Sequence, residues 1–374
     1  MNLLAVISGV LLFGVVLVDT FETMILPRTV TRRFRLTRLF YMLVGRANRF
    51  LLKLEHNPSL REAQLNAYAP LSLLGLIVLW AGMLILAFAL VHWGLKVPLH
   101  GEVLRSDLGT YLYFSGVTFL TLGFGDVTAT NGIGRFLAVM EAGVGFGFLA
   151  IVISYLPVLY QSFSRRETTI CMLDARAGSP PTSAELLRRY SERENMPELV
   201  ELLKEYERWS AELLESFLSY PILAFYRSQH DQQSWLSALT AILDTCAIGR
   251  LEFANAPAWQ KALQWQAYLT FAMARHAIID LALILYIEPQ EPPMNRLDDE
   301  QWQRLTHSLK HAGVPLADTS ATTRAQLVEM RKQYEPYVYS LSKALFLELP
   351  PWIMKEATAD NWQTSAWETD GHLK

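Results

Sequence analysis

Cysteine is nearly missing from this chain. Cys171 and Cys246 are the only two in 374 residues, and neither has a C-x-x-C partner. That argues against a disulfide scaffold and against a zinc site. Glycine is scarce after Ser164, where only positions 178, 249, 313 and 371 carry it. No G-x-G-x-x-G turn fits that spacing, which excludes a dinucleotide-binding unit there. Positive charge is not in excess either. From Ser164 onward 21 Lys and Arg face 28 Asp and Glu, so nothing points to nucleic acid. No run of alternating strands supports a β-roll for cyclic nucleotides. No nucleophile, base or cofactor motif marks an enzyme, and no organic cofactor is indicated.

Charge is also absent from long stretches, and this absence is the most informative. Leu71 to Leu95 carries none, with His92 its only titratable side chain. Such a stretch can cross a hydrocarbon core of about 30 Å as a helix. Ile133 to Phe163 is a second, interrupted only by Arg135 and Glu141. Leu3 to Leu26 is a third, uncharged up to Val18 and carrying Asp19 and Glu22 beyond it. Its Met-Asn-Leu-Leu start has no positive n-region and no A-x-A-like site follows, so the spacing predicts an uncleaved anchor helix. Between Pro27 and Pro70, nine basic residues face Glu55 and Glu62 alone. By the positive-inside rule that connection is cytoplasmic, as is Arg165-Arg166. The loop from Lys96 to Gly132 and the N-terminus then face outward, as expected of a multi-pass inner (plasma) membrane protein with a cytoplasmic C-terminal domain. Arg32, Arg35 and Arg38 fall every third residue, as in a voltage sensor, but the run from Arg28 to Arg38 is too charged to cross. An interfacial helix on anionic membrane lipid fits these residues better.

The outer loop turns apolar again from Leu108 to Leu122, a stretch too short to cross and rich in aromatics at Tyr111, Tyr113, Phe114 and Phe119. It reads as a re-entrant helix, whose return limb must be packed in protein or line water. The residues of that limb, Thr118-Phe119-Leu120-Thr121-Leu122-Gly123-Phe124-Gly125-Asp126, resemble the potassium-channel signature T-x-x-T-V-G-Y-G-D. The resemblance spans about Leu71 to Phe163, the two-transmembrane pore module of outer helix, pore helix, filter and inner helix, and does not extend to Ser164–Lys374. It implies a selectivity filter at Thr121, Leu122, Gly123, Phe124, Gly125 and Asp126. K⁺ ions would be held there by the carbonyls of Thr121, Leu122, Gly123 and Phe124 and by the Thr121 hydroxyl. Gly123 and Gly125 can adopt backbone angles that let successive carbonyls face the pore axis. Leu122 and Phe124 would turn their side chains into the packing behind the filter, and Asp126 would concentrate cations at the outer mouth. Leu122 for Val and Phe124 for Tyr depart from the pattern without removing a carbonyl. A single filter per chain implies four chains, a homotetramer closed around one pore.

On the inner helix the resemblance places a hinge at Gly145, eleven positions beyond Gly134-Arg135. Glycines at 143, 145 and 147 serve either bending or close helix contact, and the spacing favours the hinge. The carried-over cavity lining is Phe146, Leu149 and Ile153, with Pro157 near the intracellular constriction. Glu141 is the one acid inside this span. It either faces the cavity or pairs with Arg135 or a pore-helix group as the buried acid behind the filter, where some relatives carry a glutamate at the position of Val117.

The remainder, residues 164–374, reads as an all-helical domain. Pro180-Pro181 and Thr182-x-x-Glu185 announce a helix with a capping box, and Asn195-x-x-Glu198 announces the next, with Leu199, Leu203, Tyr206, Leu213 and Phe217 on one face. Further helices are predicted at about Ser234 to Arg250, Ala258 to Ile287, Asp299 to Ala312 and Thr322 to Leu349. Ala277 to Ile287 alone is too short and acidic for a fourth span. His307 with His311 and His276 with Asp280 have metal-ligand spacing but more often mean hydrogen bonds. Glu212, Arg275, His276 and Asp280 are expected in a buried polar network.

The expectation is an all-α membrane protein of four parts: an N-terminal transmembrane helix (1–26), a basic cytoplasmic or interfacial linker (27–70), a potassium-channel pore domain (71–163) and a helical cytoplasmic domain (164–374). The function expected is that of a K⁺-selective homotetrameric channel whose gating the cytoplasmic domain influences, through an unknown ligand. The alternatives are a non-selective cation channel and a membrane sensor built on a channel pore.

Overall fold

The computed structural model describes residues 2–26, 35–101, 107–192, 195–228, 233–354 and 360. Arg28, Arg32 and Arg33 of the basic run lie outside the described residues. Among the described residues the chain is all-α apart from one short two-stranded ladder and a single bridge of Phe253 with Leu316, and it divides into two compact units, Met1–Tyr160 and Gln161–Lys374.

The first unit begins with α1 (Leu3–Met24), α2 (Leu36–Leu54) and α3 (Pro58–Gly94). The α1 helix runs antiparallel along α3. Asn2 N–H donates to the Gly94 carbonyl at 2.7 Å at one end, and Trp80 Nε1 donates to Asp19 Oδ2 at 2.9 Å toward the other. Asp19 is tolerated in an apolar helix because Oδ2 also accepts from Thr37 N at 3.1 Å and Thr37 Oγ at 2.7 Å. One carboxylate thus ties α1 to the start of α2 and to α3. The α3 helix starts at Pro58, where Asn57 accepts from Ser59 N–H at 3.0 Å, and not near Leu71. The described part of the 27–70 segment is therefore largely helical, and Pro70 sits inside α3. The proline removes one hydrogen bond without ending a helix that α1 and α2 flank.

After α3 the chain forms β1 (Leu99–His100), the pore-helix candidate α4 (Leu108–Phe119), β2 (Thr128–Ala129) and α5 (Gly132–Ala177). The α4 helix ends at Phe119, three residues before the apolar stretch does, because its last carbonyls are capped by the turning chain. Leu120 N–H bonds Gly116 O, and Leu122 N–H bonds Val117 O. The antiparallel pair β1 and β2 clips the two limbs of the outer loop together, Leu99 opposite Ala129. Val16, Leu76, Trp80, Leu84 and Phe119 form the core, with Val144 and Phe148 of α5 against it.

The second unit contains α6 (Ser183–Glu192), α7 (Met196–Ser219), α8 (Trp235–Gly249), α9 (Gln260–Ile284), α10 (Asp299–His311), α11 (Ala321–Arg331) and α12 (Glu335–Leu345). Every residue of α8 is buried, and α6, α7, α9, α11 and α12 pack on it. Leu199, Leu203, Tyr206, Leu213 and Phe217 line the buried face of α7, as the periodicity predicts. The single helix expected over Thr322 to Leu349 is two. It breaks at Lys332–Tyr334, and Pro336, which suits a first helical turn, sits in the opening turn of the second piece.

Among the described residues four helices are long and apolar enough to cross a membrane: α1, α3, α5 and α9. The α9 helix is longer than the stretch judged too short, and its buried face packs on α7 and α8, so its apolar composition serves the core of the second unit.

Candidate functional site: the loop between two spanning helices

The return limb after α4 has a backbone that the residue pattern only partly announces. Positive φ falls on alternate residues, Thr121 at 55°, Gly123 at 62° and Gly125 at 78°. Glycine holds such angles freely, and threonine does so only under strain, of about 1–2 kcal/mol. Alternation of this kind is what allows consecutive carbonyls to be turned to one side of an extended chain. Thr121 is held in its turn by its N–H bond to Thr118 O at 3.0 Å.

Asp126 is anchored as well. Tyr113 of α4 donates its hydroxyl to Asp126 Oδ2 at 2.7 Å, tying the outer end of the limb back to the helix that leads into it. Residues Thr121 to Asp126 are all exposed in the single chain, Leu122 by 52% and Phe124 by 66%. Nothing in the one chain provides the packing expected behind these two side chains.

On α5, Phe146, Leu149, Ile153 and Pro157 share one exposed stripe, while Tyr155 and Leu159 are buried. The helix is continuous through both Gly145 and Pro157. A β-carbon on Gly145 would overlap the Phe119 carbonyl oxygen. The geometry therefore gives Gly145 close helix contact, the second of the two roles weighed for it.

Glu141 is fully buried and does not pair with Arg135, whose Nε donates to the Ala129 carbonyl at 3.2 Å. Its partner is His92 of α3, with Nε2 and Oε2 at 3.2 Å. Ser115 of α4 acts on the same carboxylate without closing a hydrogen bond of normal geometry. His92 was legible as the lone titratable group of its span, but nothing in the sequence paired it with Glu141.

In the second unit the expected network is absent. Among the described residues His276 is exposed and meets only Asp280, at 3.5 Å, and Glu212 is exposed. The apolar neighbours in sequence lie on the other face of α9. The buried network forms elsewhere. Asp244, within the wholly buried α8, accepts from Arg296 at 2.7 Å and from the Tyr334 hydroxyl, and Glu335 accepts from Arg296 and Arg331 at 3.2 and 3.0 Å. His307 and His311 bring their Nε2 atoms to 3.0 Å on an exposed face, and among the described residues no group of three potential metal ligands occurs.

Comparison with known proteins bears on the first unit. A family model described as "Ion channel" matches residues 74–161. Two curated relatives, each named Protein LctB, match part of the chain. The one from Geobacillus stearothermophilus is 35% identical over 108 residues, covering 26% of this chain and 80% of the relative. The one from Bacillus caldotenax is 34% identical over 91 residues, covering 22% and 67%. No solved structure matches.

Proposed function

Because the chain belongs to the ion channel family, we propose that it forms a K⁺-selective homotetrameric pore with Thr121–Asp126 as its filter. The observation that carries this reading is the alternation of positive φ at Thr121, Gly123 and Gly125. It lies in a return limb between α3 and α5, two of the helices long and apolar enough to span. Four such limbs around an axis would replace the hydration shell of K⁺ with rings of carbonyl oxygens. The tetramer supplies what one chain lacks, namely cover for Leu122 and Phe124 and for the open α5 stripe that would line the cavity. Membrane lipid surrounds the spans. Exposed Leu39, Leu43, Phe50 and Leu54 on α2, beside Arg38, Arg46, Arg49 and Lys53, suit an anionic bilayer surface. On this reading the 27–70 segment and the C-terminal domain are cytoplasmic, at an inner membrane.

The cytoplasmic domain influences gating through the covalent continuity of α5. Glycine at 123 is the sharpest test of the filter assignment. Gly123→Ala keeps the hydropathy, and its Cβ meets nothing within 4 Å in the chain, but φ of 62° strains any other residue. The variant is expected to insert and to lose K⁺ conduction at least about tenfold. Unchanged selective current from reconstituted Gly123→Ala would remove this loop from the pore.

A further inference from the structure

We infer that Glu141 and His92 form a proton-sharing pair that positions the pore helix and, through it, the filter. The inference rests on the filter reading above. Both side chains have 0% exposure and meet at 3.2 Å. Ser115 on α4 is equally enclosed and faces the same carboxylate without a closed hydrogen bond. His92 also sets its ring edge-on to Phe114 of α4, centroids 5.2 Å apart. Three helices therefore meet at one acid, with α5 providing the carboxyl, α3 the imidazole and α4 the hydroxyl. About one turn further along α5, Gly145 lies against the carbonyl of Phe119, the last residue of α4 before the chain turns into Thr121. A shift of α5 against α4 at Glu141 is thereby passed to the inner end of the filter.

The groups facing the Glu141 carboxylate are His92 from α3 and Ser115 from α4, and Arg135 of α5 itself bonds the Ala129 carbonyl instead. A carboxyl and an imidazole that hold one proton between them carry no net charge, whichever atom bears the proton. Removing that proton leaves a bare carboxylate, and adding a second leaves a bare imidazolium. Either leaves a net charge in an enclosed site within the spanning helices. Among the described residues Glu141 Oε1, His92 Nδ1 and Ser115 Oγ close no hydrogen bond, so no further partner there absorbs the change. The junction of α3, α4 and α5 must then loosen. Conduction is maximal where the pair holds one proton and falls on both sides of that pH.

The test is single-channel and macroscopic recording from the full-length protein in planar bilayers, with pH stepped on both sides. Wild-type conduction is expected to fall at least about threefold on each flank of its optimum. Glu141→Gln should lose the alkaline flank, His92→Gln the acid flank, and the double variant both. A flat wild-type profile, or a double variant with the wild-type profile, overturns the pair. Where those variants do not assemble, Ser115→Ala is the milder probe. A displaced optimum supports the pair, and a profile identical to wild type overturns it. Reversal potentials from the same records judge the filter separately. K⁺-selective current without pH dependence overturns the pair and leaves the filter standing, whereas current without K⁺ preference overturns the filter while its pH profile still judges the pair.

Discussion

Gly145 illustrates how much rests on single atoms where α4 meets α5. An added methyl there would overlap the Phe119 carbonyl oxygen, a backbone atom that cannot rotate aside. Gly145→Ala is expected to destabilise the assembled protein by roughly 2 kcal/mol or more, because overpacking against backbone must displace a helix. At Gly147 a Cβ meets nothing within 4 Å in the chain, so Gly147→Ala is the control. Thermal dissociation in detergent reads the difference. A Gly145→Ala protein that assembled normally and changed only in open probability would return this residue to the hinge role. In the second unit, burial tends to raise the Glu185 carboxyl, but Arg188 and Arg189, bonded to it at 2.8 and 2.6 Å, outweigh burial and hold it below its ordinary range. A carboxylate with a depressed folded-state pKa stabilises fully above its unfolded pKa, and the contribution is lost as pH falls through the folded value. The second unit should therefore weaken as pH drops below the ordinary carboxylate range. Glu185→Gln should flatten that part of the acid unfolding curve and cost about 1 kcal/mol near neutral pH. An unchanged acid limb in Glu185→Gln would dismiss this contribution. The residue pattern announced Glu185 as a capping-box acid. Only half the box forms, with Glu185 N–H bonding Thr182 Oγ at 3.2 Å, because the arginines claim the carboxylate. Buried acids were the least legible residues of all. Asp19, Glu141 and Asp244 each find partners distant in sequence, which periodicity cannot pair.

At the scale of elements, the helices were largely readable because each has one apolar face and a marked start. Asn57, Asp107, Ser234, Asp298 and Ser320 all accept N-terminal backbone hydrogen bonds. The misreadings came from proline. Pro70, at the edge of the apolar stretch, lies within α3, whereas Pro336 marks a helix start inside a run expected to be continuous. Proline at the first turn and proline in a packed helix look alike until the neighbouring helices are known. The end of α5 carries an anchor with a functional consequence. Arg166 is buried within the second unit and donates to the Leu223 and Tyr226 carbonyls at 2.7 and 2.8 Å, fixing α5 to the short 3-10 turn Pro221–Phe225. Removing the side chain takes a charged donor from both carbonyls, of which Leu223 O keeps the Tyr226 N–H at 3.2 Å, at a cost of about 1–3 kcal/mol. If gating is influenced through α5, Arg166→Ala should change open probability several-fold while leaving the single-channel K⁺ conductance intact. Equal open probabilities in bilayer recordings of the two proteins would reduce the domain to a scaffold.

For the whole molecule, the ion channel unit was legible because its signature is local. The Thr-Leu-Gly-Phe-Gly-Asp order is short, contiguous and flanked by spans, and the backbone it folds into repeats the spacing of its glycines. The second unit has no such contiguous chemistry. Its wholly buried α8 and the Asp244–Arg296–Glu335 network are assembled from segments far apart, and they specify packing without naming a ligand. The central claim therefore stands on ion selection by the first unit. It is tested most directly by the reversal potential of the purified full-length protein in a planar bilayer, with K⁺ on one side and Na⁺ on the other. A filter built as described discriminates by more than about tenfold, which places the reversal potential at least about 60 mV toward the K⁺ equilibrium potential. A reversal potential near zero would contradict K⁺ selection at Thr121–Asp126 and leave a non-selective cation channel.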